Sequence, residues 1–280
     1  MLFNSPLEPT ERIRFILMEV KQSGNISREC ATKVNQCLIL AAGKGTRLRD
    51  VSHGLPKPLV PFRGKPILEH IILAAHQAGI SAFVIVVGYG SEFVRRWFNN
   101  RFRGNVSITW VENPDYEKQN GISALKARDQ LRDNFLLLMA DHVFEPQTAR
   151  VLMQQELAPG EVILAVDSNI DAVFDVEDAT KVRRDGDHII DIGKDIAHYD
   201  ALDTGMFLCS PVLFDRLQSA VKDGSCSLSD GMHQLAQQRC LRALDIGDAG
   251  WQDLDTPEAL VHAESKFGAH QTAIGVRLAS

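Results

Sequence analysis

No apolar run in this chain approaches the length of a membrane span; residues 82–87 are typical of its hydrophobic stretches. Its five cysteines (Cys30, Cys37, Cys209, Cys226, Cys240) show no C-x-x-C spacing, which argues against a zinc site or a disulfide framework. Cys37 and Cys209 sit inside apolar runs and read as small buried hydrophobes. There is no excess of positive charge. The formal net charge of −6 argues against a general nucleic-acid binder but leaves room for a local cationic pocket. Internal repeats and low-complexity tracts are also lacking. Charges begin early, at Glu8, Glu11, Arg12 and Arg14, so no secretory signal is expected and the chain is placed in the cytoplasm, without a membrane span.

What remains is a globular composition, 45% hydrophobic and 24% charged, long enough for one sizeable α/β domain. Short apolar segments predict strands at 37–41, 83–87, 107–111, 135–139 and 162–166, with helices near 67–78, 92–99, 123–131 and 147–156. Leu68, Ile71, Ile72 and Ala75 have the spacing of one buried helical face. This alternation implies a largely parallel sheet covered on both sides. After residue 170 the pattern changes. Asp185-Gly186 is a strong hairpin turn, so 180–194 is expected to be a small antiparallel insertion. A return strand at 205–209, helices near 212–221 and 230–238, and a last strand at 241–246 follow. Pro257, capped by Thr256, then opens a helix through Lys266. The expected organisation is an N-terminal helical extension (1–35), a main domain (36–268) and a tail (269–280). Within the extension, Ile13, Ile16, Leu17 and Val20 share one face of a helix over 12–22, a surface that suits packing on the main domain or on a second copy in a homodimer.

The most informative stretch is Leu40-Ala41-Ala42-Gly43-Lys44-Gly45-Thr46-Arg47-Leu48, directly after a buried strand and shortly before Pro56-Lys57-Pro58. Glycines let backbone N–H groups approach a phosphate chain, and Arg47 and Lys57 supply charge to neutralise a reacting phosphoryl group. The dinucleotide fingerprint fails because Leu48 stands where a third glycine belongs. The P-loop fails because Leu38 stands where its first glycine belongs. The stretch therefore reads as a nucleoside triphosphate site of another kind.

Asp141 ends the strand at 135–139, where ligands bind in open α/β sheets. Asp253 and Asp255 lie beside Trp251, after the last strand and before a capped helix. Two carboxylates from distant segments can share one Mg²⁺ ion, although each also suits helix capping or solvation. Lys194 and the Asp203-Thr204-Gly205 turn suit an anionic phosphoester, or simply a surface turn. Asn120-Gly121 offers an amide that can read a base edge, or plain turn chemistry. His142 reads as a residue that steadies its own loop.

The glycine loop, Pro56-Lys57-Pro58, Asp141 and Trp251-Gln252-Asp253 resemble the sugar-phosphate nucleotidyltransferase superfamily over nearly the whole chain after residue 35. Met139-Ala140-Asp141-His142-Val143, Asp178-Ala179-Thr180-Lys181-Val182, Ile192-Gly193-Lys194-Asp195, Tyr199-Asp200-Ala201-Leu202-Asp203-Thr204-Gly205 and Asn120-Gly121-Ile122-Ser123 resemble one branch, the CTP:inositol-1-phosphate cytidylyltransferases. The resemblance implies a Rossmann-like three-layer α/β/α fold with a mixed, mainly parallel sheet. It also implies a Mg²⁺-dependent transfer of CMP from CTP to a phosphorylated alcohol, best inositol 1-phosphate. Backbone from Leu40 to Thr46 would hold the triphosphate, Arg47 and Lys57 would act on the reacting phosphates, and Asn120 and Gly121 would face the base. Lys194, Thr204 and Gly205 would face the acceptor, and Asp141 and Asp253 the metal, with Asp255 as the alternative to Asp253. Phosphocholine or 2-aminoethylphosphonate as acceptor, guanylyl or uridylyl transfer to a hexose 1-phosphate, and a non-catalytic nucleotide-binding regulator are the alternatives.

Overall fold

The structure is a computed structural model describing residues 34–247 and 249–277, with side chains to residue 268. The helix expected at 12–22, and the dimer element proposed for it, lie outside the described residues. Strand β1 (Gln36–Ala41) runs into a 3-10 turn (Thr46–Leu48), a single-turn α1 (Arg49–Ser52) and a second 3-10 turn (Lys57–Leu59). The ribbon β2 (Pro61–Phe62) and β3 (Lys65–Pro66) leads to α2 (Ile67–Ala78), β4 (Ala82–Val87), α3 (Ser91–Arg101) and β5 (Ser107–Glu112). Next come α4 (Asn120–Lys126), β6 (Phe135–Met139), β7 (His142–Phe144), α5 (Pro146–Met153) and β8 (Val162–Asp167). The hairpin β9 (Lys181–Asp185) and β10 (His188–Gly193) precedes the long β11 (Ala201–Cys209), then α6 (Val212–Ala220), α7 (Leu228–Gln237), β12 (Leu241–Asp245), β13 (Trp251–Asp253) and α8 (Pro257–Arg277).

The main sheet has the order β5-β4-β1-β6-β11-β8-β12-β10-β9. β5, β4, β1 and β6 are mutually parallel, whereas β11 runs antiparallel to both β6 and β8. The sheet is therefore mixed. Alternation along β1 divides the core: Cys37, Ile39 and Ala41 face one cluster and Leu38 and Leu40 the other. The first cluster takes in α2, α3, α5 and α8 (Ile71, Val94, Ala149, Ala263), and the second α4, α6 and α7 (Ile122, Leu213, Met232). These are the layers of an α/β/α sandwich. Because β4 and β6 flank β1 on opposite sides, the loop after β1 opens at a switch in strand order, where a crevice forms beyond the carboxyl ends.

Two expectations need correction. The helix expected at 123–131 begins earlier, at Asn120, and gives way to a 3-10 turn at Arg128–Gln130. Its first residue is held by the first residue of α7, since Asn120 Oδ1 accepts from Leu228 N at 2.7 Å. The antiparallel hairpin expected over 180–194 is present, as β9 and β10. β10 extends the sheet from β12, and β9 folds round to pair with β11 as well. The last helix does not stop at Lys266. It continues to Arg277, through most of the stretch expected to be a tail. Thr256 caps it as expected, its Oγ1 accepting from Ala259 N at 3.1 Å. Among the described residues no helix is long and apolar enough to cross a membrane.

Candidate active site

The side chains of Leu40 and Ala41 are buried in opposite cores, so only their backbone reaches the crevice. Beyond the buried Ala42, Gly43, Lys44, Thr46 and Arg47 are exposed. Gly45 has φ +60°, and a Cβ there would lie 2.5 Å from Lys57 Cβ. Only glycine lets the loop turn this way and lie against Lys57. Pro56 is likewise packed on Gly90, which pins the Pro-Lys-Pro segment beneath the loop and leaves the Lys57 side chain 10% exposed. Lys44 pairs with Glu117, its ammonium 5.7 Å from the centre of the Tyr116 ring.

A second, small sheet assembles the carboxylates. β13 pairs antiparallel with β7 so that Asp253 sits opposite His142. Asp141, His142 and Asp253 thus offer donor atoms within 4.8 Å of one another. Lys57 Nζ is 2.8 Å from Asp141 Oδ2 and also pairs with Asp255. The other Asp141 oxygen is 2.7 Å from His142 Nδ1. Arg47 pairs with Asp255 and with Asp178, and Asp178 in turn accepts from Lys194 Nζ at 2.7 Å. Cations and carboxylates from the two halves of the sheet therefore form one continuous network.

Burial works against ionisation of Asp141, but the Lys57 charge and the His142 hydrogen bond outweigh it and hold the carboxyl far below its ordinary range. For His142, burial disfavours the cation, while the charge of Asp253 and the bond to Asp141 favour it. The net result is a pKa pushed up to about 9. Asp253 is raised by burial and by Asp141, against the nearby cations. The His142 ring lies parallel to Trp251, 6.0 Å between centres, and Trp251 Nε1 donates to Asp167 Oδ2 at 2.8 Å. Gly205 makes room for this stack: at φ +73°, a Cβ there would lie 2.7 Å from the His142 ring.

The donor set fits a hard divalent cation. Asp253 Oδ1 is buried without a hydrogen-bond partner among the described residues, and it belongs to the group that includes Asp141. Asp255, engaged by Lys57 and Arg47, belongs with Asp178 and Asp253 to a second group of donor atoms within 4.8 Å of one another.

Beside the network opens a cavity of about 240 Å³, lined among others by Asp141, Asp203, Gly205, Lys194, Phe174 and Trp251. Asp203 Oδ1 accepts from Gly205 N at 2.7 Å, and burial raises this carboxyl to about 6, against the Gly205 hydrogen bond and the His142 charge. Asn120 lines the cavity, but Gly121 is buried against the backbone of Cys226 and Ser227. Thr204 needs correction as an acceptor-facing residue. It is fully buried, and its Oγ1 donates to Ala165 O at 2.7 Å. Successive strand residues point to opposite faces, so Asp203 and Gly205 reach the cavity and Thr204 cannot. Sequence reasoning gave no role to Asp178 or to Asp203 by itself. Strand alternation around Gly205 was the available signal for Asp203. For Asp178 there was only its membership in a quoted motif.

Residues 37–244 match the MobA-like NTP transferase domain. The chain belongs to this family. It is a nucleotidyltransferase with the α/β fold of that group. It is 36% identical over 224 residues to the bifunctional IPC transferase and DIPP synthase of Rubrobacter xylanophilus, covering 79% of this chain and 49% of that protein. It is 30% identical over 252 residues to the CMP-5'-(3-aminopropyl)phosphonate synthase of Streptomyces rubellomurinus, covering 83% of this chain and 38% of that protein. The nucleotidyltransferase thus spans about half the length, or less, of these curated relatives. Among solved structures, the inositol-1-phosphate CTP transferase from T. maritima superposes with a TM-score of 0.72 at 25% identity, covering 83% of this chain and 97% of that one.

Proposed function

We propose that this nucleotidyltransferase moves CMP from CTP to a phosphorylated polyol, with inositol 1-phosphate the best acceptor, and releases pyrophosphate. The observation that carries this reading is the position of Lys57. Its stem lies on Gly45 of the phosphate loop while its ammonium touches Asp141, so loop, cation and metal-binding carboxylate meet in one contact set. Backbone from Ala42 to Thr46 cradles the triphosphate, and Asn120 faces the base. Arg47 and Lys57 stabilise the reacting phosphates, and Lys194 receives the acceptor phosphate, whose polyol fills the cavity toward Asp203. An oxygen of that phosphate forms the new bond to the α-phosphorus as the bond to the pyrophosphate oxygen breaks. The nucleophile is already anionic near neutral pH, so no general base is required, and catalysis rests on in-line positioning and charge stabilisation. A Mg²⁺ ion held by Asp141 and Asp253 would supply further charge neutralisation at the α-phosphate and the leaving group. The similarity to the inositol-1-phosphate CTP transferase from T. maritima supports CTP and inositol phosphate.

A second acceptor class, aminoalkylphosphonates, is favoured by the Streptomyces relative and by the carboxylates Asp175 and Asp203 in the cavity wall. The deciding experiment crosses CTP, GTP and UTP with inositol 1-phosphate, phosphocholine, 2-aminoethylphosphonate and hexose 1-phosphates, read by mass spectrometry of the nucleotide product. CDP-inositol with pyrophosphate is expected. A preference for UTP or GTP with a hexose 1-phosphate, or nucleotide binding without turnover, refutes the reading.

A further inference from the structure

Asp178 lies in the loop between β8 and β9, outside every role assigned above, yet it is the one carboxylate among the described residues that bridges the two phosphate-binding flanks of the site. Its Oδ2 pairs with Arg47 of the glycine loop, and its Oδ1 accepts from Lys194 Nζ at 2.7 Å at the end of the β9–β10 hairpin. Lys194 has no other ion-pair partner among the described residues. One anion with separate oxygens on two cations is the arrangement that a phosphate monoester would adopt between the same two side chains. From this juxtaposition we infer that Asp178 is an internal occupant of the acceptor-phosphate position, which the substrate must displace and which weakens the hold of free inorganic phosphate on the same two cations. The inference rests on the proposed role of Lys194.

The energetics suit a displaceable occupant. Side-chain exposures of 35% for Asp178, 47% for Arg47 and 55% for Lys194 put these pairs in high dielectric, where each is weak. A carboxylate held this loosely gives way to a ligand that also gains contacts in the cavity. Inorganic phosphate gains none of those contacts and still has to break both pairs. The loop carrying Asp178 is anchored separately, by Phe174 stacked on His262 of α8 with ring centres 4.8 Å apart, so the carboxylate can turn away without release of the cavity wall.

The test compares wild type, Asp178→Asn and Asp178→Glu. Titration calorimetry with inorganic phosphate gives binding without turnover, and steady-state kinetics with CTP and the phosphorylated acceptor gives KM. Removing the charge is expected to tighten phosphate binding about three- to tenfold, the worth of two exposed ion pairs. It should also lower the acceptor KM, and Asp178→Glu should return phosphate binding toward wild type. Unchanged or weaker phosphate binding in Asp178→Asn overturns the inference, because a residue that merely positions Arg47 and Lys194 would raise the acceptor KM when removed. A raised Mg²⁺ requirement with phosphate binding unchanged also overturns it, and makes Asp178 a metal ligand beside Asp253 and Asp255. Tighter phosphate binding in a protein that turns over no phosphorylated alcohol upholds the occupant and refutes the proposed reaction.

Discussion

Replacing Lys57 with methionine separates two effects that most active-site substitutions confuse. The side chain is 10% exposed and its ammonium pairs with Asp141 and Asp255, which are 24% and 20% exposed. Methionine keeps the apolar stem that lies on Gly45 and removes only the charge. Breaking a buried ion pair by removing one partner costs about 3–5 kcal/mol, and the partial exposure of these carboxylates brings the expected loss toward about 2–3 kcal/mol. For a domain of this size that lowers Tm by about 4–12 °C in the absence of divalent metal. The same charge serves the reacting phosphates, and loss of one such group typically costs about 2.7–4 kcal/mol of transition-state stabilisation, or about two to three orders of magnitude in kcat. The two losses respond differently to Mg²⁺. In the variant, Asp141, Asp253 and Asp255 lose their shared counter-charge, so a divalent cation binds more tightly and stabilises the fold by linkage, by about 2.7 kcal/mol at a hundredfold excess over Kd. Melting curves with and without Mg²⁺, paired with pyrophosphate-release kinetics, should show the Tm gap close while the kcat deficit persists. A variant with kcat within a fewfold of wild type, or a Tm gap that Mg²⁺ leaves untouched, refutes the reasoning.

Gly45→Ala places a Cβ against Lys57 at a left-handed φ; a loss of about 1–2 kcal/mol in stability and a drop in kcat exceeding tenfold should accompany each other in melts and turnover assays. Thr204→Val removes a fully buried hydroxyl bonded to Ala165 O; about 1 kcal/mol of stability should go, while the acceptor KM stays at the wild-type value, and a raised KM would restore Thr204 to the acceptor site. His142 is raised from 6.5 to about 9 in the metal-free fold, so its contribution is complete below pH 6.5 and fades as pH climbs through about 9. Denaturant titrations across that window should lose of order 2–3 kcal/mol, with a flatter profile in His142→Phe. Asp141, shifted in the opposite direction, contributes stability that is present above its unfolded pKa and is lost only in strong acid, so it leaves that window undisturbed.

Much of this molecule was legible in local pattern. The parallel strands at 37–41, 83–87, 107–111 and 135–139 are short, apolar and punctuated by helices, and the helix Ile67–Ala78 has the residues that its 3.6-residue period predicts. The glycine loop was legible for a different reason: glycines next to cations are chemistry written consecutively. Lys57 was legible as a cation, but its depth was not, because its burial depends on Gly45 and Gly90 closing over Pro56 and Lys57 from two other segments. The start of α4 also involves a contact distant in sequence, since Leu228 N donates to Asn120 Oδ1.

The carboxylates show where local reading stops. Asp141 ends an apolar strand, which marks it; Asp253 and Asp255 lie two residues apart on a short segment, and nothing local tells them apart. What separates them is the register of a three-residue ribbon, Asp253 opposite His142, which leaves one Asp253 oxygen unpartnered in the group with Asp141 and hands Asp255 to Arg47 and Lys57. Residues two apart share a face, so only a two-residue slip would set Asp255 where Asp253 now stands, opposite His142. The same alternation removes Thr204 from the cavity and places Asp203 there. In both segments composition supplied the right kinds of groups, and long-range strand pairing decided which atoms reach the site. Asp178 lies further still from local reading. Its partners, Arg47 and Lys194, belong to opposite halves of the mixed sheet, and only the reversal at β11 brings those halves to a common edge.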